Sequence, residues 1–203
     1  VGLITYMRTD SVQLAEKFKT DARGVLLNLF GKEFLPASPR VYKTKSRLAQ
    51  EAHEAVRPTE VARAPDQLKN YLSPEQWKLY SLIWKRALAS QMPDAVLDTT
   101  TVDIAGGDDK IIFRANGSIL KFPGWLRLYE GPTKDILLPE LAREEKIEAK
   151  KIIPKQHFTE PPAHYNDATL VKALELHGIG RPSTYAPTIG TLLERNYAVR
   201  PEG

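Results

Sequence analysis

The sequence predicts an α+β chain that runs helix, then β, then helix, and three observations carry that prediction. Apolar residues recur at three- and four-residue spacing in the first ninety or so positions. Thr, Val and Ile then dominate 96–113, around a Gly- and Asp-rich turn. Helical spacing returns after about residue 163.

Residues 1–11 read as a short extended segment entering a polar turn. Leu14, Ala15, Phe18, Ala22, Val25, Leu26 and Leu29 then line one helical face that stops at Gly31. A loop is expected over 36–40. A short helix is expected over 46–56, limited at Arg57 because the residue before Pro58 avoids the helical region. Ser73-Pro74-Glu75-Gln76 is a helix start, with Ser at the cap and Pro at the first position. That helix carries Trp77, Tyr80, Leu82, Ile83, Trp84, Ala87 and Leu88 and ends near Met92-Pro93; its aromatics read as core.

The next stretch, 96–113, reads as a β-hairpin turning at Ala105-Gly106-Gly107-Asp108-Asp109. Strand and turn continue over 118–128, and a loop followed by another strand is expected over 130–151. Thr159-Glu160-Pro161-Pro162 reads as an irregular hinge. A helix from Asp167 through Leu170, Leu174 and Leu176 ends on Gly178, which suits a C-terminal cap. A second helix starts near Ser183 and carries Ile189, Leu192 and Leu193.

Composition sets bounds. The chain has 203 residues, 42% of them apolar, enough for one or two modest cores. A net charge of +4 suits a polyanionic partner weakly. With no cysteine, disulfides and thiolate metal sites are excluded. No apolar run approaches the roughly 20 residues a bilayer span needs, so no membrane partner is expected. The start on Val1 and stop at Gly203 suggest a piece of a longer protein.

Three segments carry candidate chemistry. In the run Leu3-Ile4-Thr5-Tyr6-Met7-Arg8-Thr9-Asp10-Ser11, an extended backbone would put Tyr6 and Arg8 on one face. A free phenol has a pKa of about 10, so roughly one in a thousand is ionised at neutral pH. A guanidinium beside it favours phenolate and can stabilise charge on a phosphate. In Glu51-Ala52-His53-Glu54-Ala55-Val56-Arg57-Pro58-Thr59, the ring of His53 can donate to a phosphate. His53-Glu54 opens a zinc-protease word, but Arg57 stands where the second histidine is needed, so that reading fails.

The third segment is Gly178-Ile179-Gly180-Arg181-Pro182-Ser183-Thr184-Tyr185-Ala186. It is no dinucleotide loop, because Ser183 replaces the third glycine and no strand precedes it. A helix start bearing Ser and Arg can seat a phosphate, and the plain alternative is a tight turn. The locally basic run Arg40, Lys43, Lys45, Arg47, Arg57 and Arg63 reads either as solvated surface or as a nucleic-acid face.

These three words, in this order, resemble the signatures of type IA DNA topoisomerases, and Met7 favours the bacterial topoisomerase I branch. The topoisomerase III branch usually carries proline there. The resemblance covers essentially the whole chain. It implies Tyr6 as the nucleophile that becomes linked to a 5′ phosphate, with Arg8 and His53 in the catalytic site. Arg57, Arg181, Ser183, Thr184 and, more weakly, Arg195 are then expected to contact single-stranded DNA.

It also implies a helical domain carrying the tyrosine at 1–92, a β-rich arch segment at 93–162 and part of a helical strand-gripping domain at 163–203. Mg²⁺ would serve the full-length enzyme through ligands outside this chain, in a separate N-terminal Toprim domain, and no metal would bind this piece. No ATP would be needed, negative supercoils would be relaxed, and the enzyme would work in the bacterial cytoplasm, at the nucleoid. The isolated piece would be inactive. The alternative from another class is a non-enzymatic helix-turn-helix module over 167–195 reading duplex DNA.

Overall fold

The computed structural model describes residues 2–7, 9, 11–42, 54–106, 110–129 and 135–200. The chain divides into two compact units, Val1–Leu138 and Pro139–Gly203.

The first unit owns the core. Helix α1, Glu16–Phe30, buries Phe18, Ala22 and Leu26, which fall four residues apart on one face. A single 3-10 turn, Lys32–Phe34, adds Phe34. Helix α2 is one turn, Pro65–Leu68. Helix α3, Pro74–Ala89, starts as expected: the Ser73 hydroxyl accepts from the Gln76 N–H and the Gln76 side chain accepts from the Ser73 N–H. It buries Tyr80, Trp84, Ala87 and Leu88, while Leu82 turns to solvent and Trp77 is half-buried.

The aromatics of α3 also fix a loop. The Trp84 indole N–H donates to Val61 O at 2.8 Å, the Tyr80 hydroxyl to Arg63 O at 2.8 Å and the Trp77 indole to Pro65 O at 3.0 Å. Each ring buries apolar area and places its one polar handle on a backbone carbonyl. The segment 61–65 is thereby pinned to α3.

Strands β1, Val96–Ala105, and β2, Ile112–Phe122, form a two-stranded antiparallel sheet, with Thr101 opposite Asn116 and Asp103 opposite Arg114. The Arg114–Asp103 pair bridges the strands at 2.7 Å. The Gly106 N–H closes the turn on Ile111 O; the rest of the expected turn, 107–109, lies outside the described residues. A 3-10 turn, Gly124–Leu128, follows.

Helical part and sheet meet at Met92–Asp94. The Arg40 guanidinium donates to Met92 O and grips both Asp94 carboxylate oxygens, at 2.7 and 3.0 Å. Gly124 is obligatory here: it has φ +47°, and a Cβ would lie 2.4 Å from Asp94 O.

Two expectations need correction. Most of the helix expected over 46–56 lies outside the described residues, but 54–56 is not helical. The Ala55 backbone groups are instead taken by Gln13 and Thr5, and just beyond it Ile4 and Pro58 form an antiparallel bridge. The strand expected within 130–151 is also absent among the described residues. Only Ile136 there makes a bridge, to Ser118.

In the second unit, α4, Asp167–Leu176, begins on an Asn166 cap, and α5, Pro182–Glu194, begins on Pro182. Helix α4 ends as expected at Gly178: the Ile179 N–H reaches Leu174 O and the Gly178 N–H reaches Glu175 O. Asn196 closes α5 the same way, its own N–H on Leu193 O and the Tyr197 N–H on Leu192 O. Neither helix has a buried residue. The described elements are therefore five helices and one small antiparallel sheet, an α+β chain.

Candidate active site

Tyr6 sits on a short extended segment that is tied down on one side. The Thr5 N–H donates to Arg57 O at 2.9 Å, and the Thr59 N–H donates to Leu3 O at 3.0 Å. The Thr5 hydroxyl accepts from the Arg57 N–H at 3.1 Å and donates to Ala55 O at 3.0 Å. One residue, Thr5, thus holds three backbone groups of a segment some fifty positions away. The side chain of the next residue, Tyr6, is 70% exposed. A pinned backbone carrying an accessible phenol is the arrangement a nucleophile for a large substrate needs.

Arg8 and His53, which the sequence assigns beside Tyr6, lie outside the described residues. Arg57 is described, and each of its three guanidinium nitrogens bonds inside the protein. Its Nε and Nη2 meet the two Glu54 oxygens at 2.6 and 2.9 Å, and Nη1 donates to Pro58 O at 2.9 Å. The guanidinium lies 4.9 Å from the Phe18 ring centroid, and its side chain is only 14% exposed. Arg57 therefore braces the site and offers little to a DNA phosphate in this arrangement.

Glu54 was not singled out by the sequence, yet it is the hub. Besides Arg57, it accepts the Ala15 N–H at 2.7 Å. Ala15 caps α1 and offers no side-chain acceptor, so Glu54 supplies from a distance the carboxylate that a capping box normally supplies locally. Burial pushes the Glu54 carboxyl up, but hydrogen bonds from Arg57 and Ala15 and the Arg57 charge outweigh it, holding the group below its ordinary range. The spacing of Glu54 and Arg57 was the available signal, since opposite charges three residues apart often pair.

The basic run is similarly occupied. Arg40 pairs with Asp94, Arg57 with Glu54 and Arg63 with Glu60; Lys43, Lys45 and Arg47 lie outside the described residues.

In the second unit, Arg181, Ser183 and Thr184 fall together at the start of α5. The Thr184 hydroxyl accepts from the Arg181 N–H at 2.8 Å and donates to Arg181 O, serving as a local cap. Arg181 and Ser183 are exposed, with one Arg181 Nη donating to Gly180 O. Gly180 lets the turn close tightly: a Cβ there would lie 3.1 Å from the Thr184 hydroxyl oxygen. Arg195 stands at the other end of α5, about 20 Å away by helix rise, so it is no part of that cluster.

Among the described residues, no group of three or more His, Asp or Glu side chains lies close enough to hold a metal ion. Among the same residues, no helix is long and apolar enough to cross a membrane.

Known proteins resemble the chain along its whole length. It is 45% identical to DNA topoisomerase 1 of Rickettsia conorii, 49% to that of Xylella fastidiosa and 48% to that of Helicobacter pylori strain 26695, with 97% of the chain covered each time. It spans only 25–26% of those relatives. The structure of full-length topoisomerase I from Thermotoga maritima superposes with a TM-score of 0.81 at 34% identity, covering 100% of this chain and 32% of that one. A family model described as DNA topoisomerase matches residues 1–202, and on that match the chain belongs to the DNA topoisomerase family.

Proposed function

We propose that this chain is the tyrosine-bearing part of a bacterial type IA DNA topoisomerase. The observation that carries the reading is Tyr6, exposed on an extended segment whose preceding residue is fixed by three hydrogen bonds to 55–57. The relatives' shared name supports DNA as the substrate of the whole protein.

The reaction is a transesterification. The Tyr6 oxygen bonds to a backbone phosphorus as the bond from phosphorus to the 3′ oxygen breaks; the phenol proton is lost and the leaving oxygen gains one. Religation reverses both bonds after strand passage and relaxes negative supercoils, so no ATP is consumed. Arg8 binds the phosphate and His53 assists, on the strength of the resemblance. Arg181, Ser183 and Thr184 grip the single strand, with Arg195 a more distant contact.

The domain division is 1–92, 93–162 and 163–203, and the piece alone is inactive. The full enzyme works in the bacterial cytoplasm at the nucleoid, with Mg²⁺ held by a Toprim domain outside this chain.

Covalent trapping tests this on an end-labelled single-stranded oligonucleotide, using the full-length parent with Mg²⁺. A labelled adduct that disappears in Tyr6→Phe while strand binding persists is expected. A Tyr6→Phe enzyme that still forms the adduct removes Tyr6 from the chemistry. Preference of the chain for duplex over single strand, with no adduct, favours a helix-turn-helix module.

A further inference from the structure

We propose that Glu54 is a positioning residue for the Tyr6 nucleophile: one carboxylate locks the start of α1 and the Arg57 guanidinium together, and through Thr5 it fixes the backbone that carries the phenol. The proposal rests on Tyr6 being the nucleophile.

Two segments meet on this carboxylate, and a third is tied to them. From 13–18 comes the Ala15 N–H, at 2.7 Å from Oε1. From 54–58 come Arg57 Nε on the same oxygen, at 2.6 Å, and Nη2 on Oε2, at 2.9 Å. The Tyr6 segment joins through Arg57, whose backbone N–H and carbonyl both bond Thr5. The guanidinium also rests against Phe18, so Arg57 cannot turn without disturbing α1. The Ala55 N–H bonds Gln13 O at 2.8 Å, which ties 54–58 to the approach of α1 by a second route.

The arrangement exceeds what stability alone requires. The α1 start bonds Glu54 directly and the Tyr6 segment reaches it through Arg57, while Ala15 cannot cap its own helix. A bidentate carboxylate–guanidinium pair imposes direction as well as attraction. A shift of about 1 Å in a reacting group is enough to cost roughly 100-fold in rate. Loss of the Glu54 charge removes the link between Arg57 and the α1 start and lets 54–58, the Thr5 bonds and with them Tyr6 shift.

The test uses the full-length parent and measures single-turnover cleavage of a labelled single strand alongside noncovalent affinity. Glu54→Gln is nearly isosteric and keeps an oxygen for the Ala15 N–H. It is expected to slow cleavage roughly 10- to 100-fold with affinity within about threefold. Arg57→Gln should give a similar loss, and the double variant no further loss, as non-additive partners do. Working well below each variant's melting temperature keeps folding out of the reading.

Cleavage by Glu54→Gln within twofold of the parent overturns the proposal, as does a loss of affinity that matches the loss of rate. Additive losses in the double variant overturn it as well. Tyr6→Phe runs beside them. If it cleaves, the nucleophile assignment fails; if it is dead while Glu54→Gln is unimpaired, only the positioning role fails.

Discussion

The Tyr6 region and the Arg181 turn are two motif-bearing segments held in opposite ways. Tyr6 is positioned by bonds that join residues fifty apart, over a core built from α1 and α3. The Arg181 turn is positioned by bonds that span one to five residues, between helices with no buried side chain. Long-range bonds make the geometry of the first depend on the cooperative stability of its whole unit. Local bonds let the second form on its own terms, at the cost of little to resist fraying.

The largest effect should fall on the core beneath the tyrosine. Trp84→Ala removes a buried ring and strands the Val61 carbonyl, which together should cost about 3–5 kcal/mol. The half-buried Leu174 in α4, truncated to Ala, should cost only about 1 kcal/mol. Denaturant midpoints for both variants check the contrast. Equal losses would mean that α4 is buried more deeply than the structure shows, and the comparison would break.

A smaller effect follows from Glu54 and has a sign. Its folded-state pKa lies below that of the unfolded chain, so its stabilising contribution is complete above the unfolded value of about 4.3 and is lost as pH falls through the folded value. The melting temperature of the parent chain should therefore exceed that of Glu54→Gln at pH 7, and the gap should narrow as the pH drops from about 5. A gap unchanged down to pH 3 would show that the carboxylate is not held ionised by Arg57 and the Ala15 N–H.

The same contrast explains what could be read in the sequence. Phe18, Ala22 and Leu26, the Ser73 cap and the Gly178 stop are local patterns and stand where their residues put them, whereas Leu14 and Ala15 precede α1, Leu29 is exposed and the hairpin's second strand runs on to Phe122. The three motif words were equally legible, because they are runs of adjacent residues. What escaped was tertiary. The helical expectation for 54–56 failed because strand-like bonding to 3–5 and Gln13 outcompeted local preference. For the same reason Arg57 reads from the sequence as one more cation of the basic run. Nothing adjacent to Glu54 reveals that the Ala15 N–H, thirty-nine residues earlier, lacks a cap.

The sharpest comparison uses one device present in both regions. Ser73 with Gln76 and Asn166 with Thr169 form reciprocal caps of the same kind, at the starts of α3 and α4. Removing either side-chain acceptor should cost about 1 kcal/mol. In α3 that loss is shared with buried Tyr80, Trp84 and Leu88, so Ser73→Ala should leave amide protection in the helix nearly unchanged. Helix α4 has ten residues and none buried, and a helix that short is marginal without packing. Asn166→Ala should therefore lower protection measurably at Leu170 and along the first turns of α4. Hydrogen exchange on the two variants reads the difference directly. Equal, small changes in both helices would mean that α4 draws its stability from contacts, and that its order is not local.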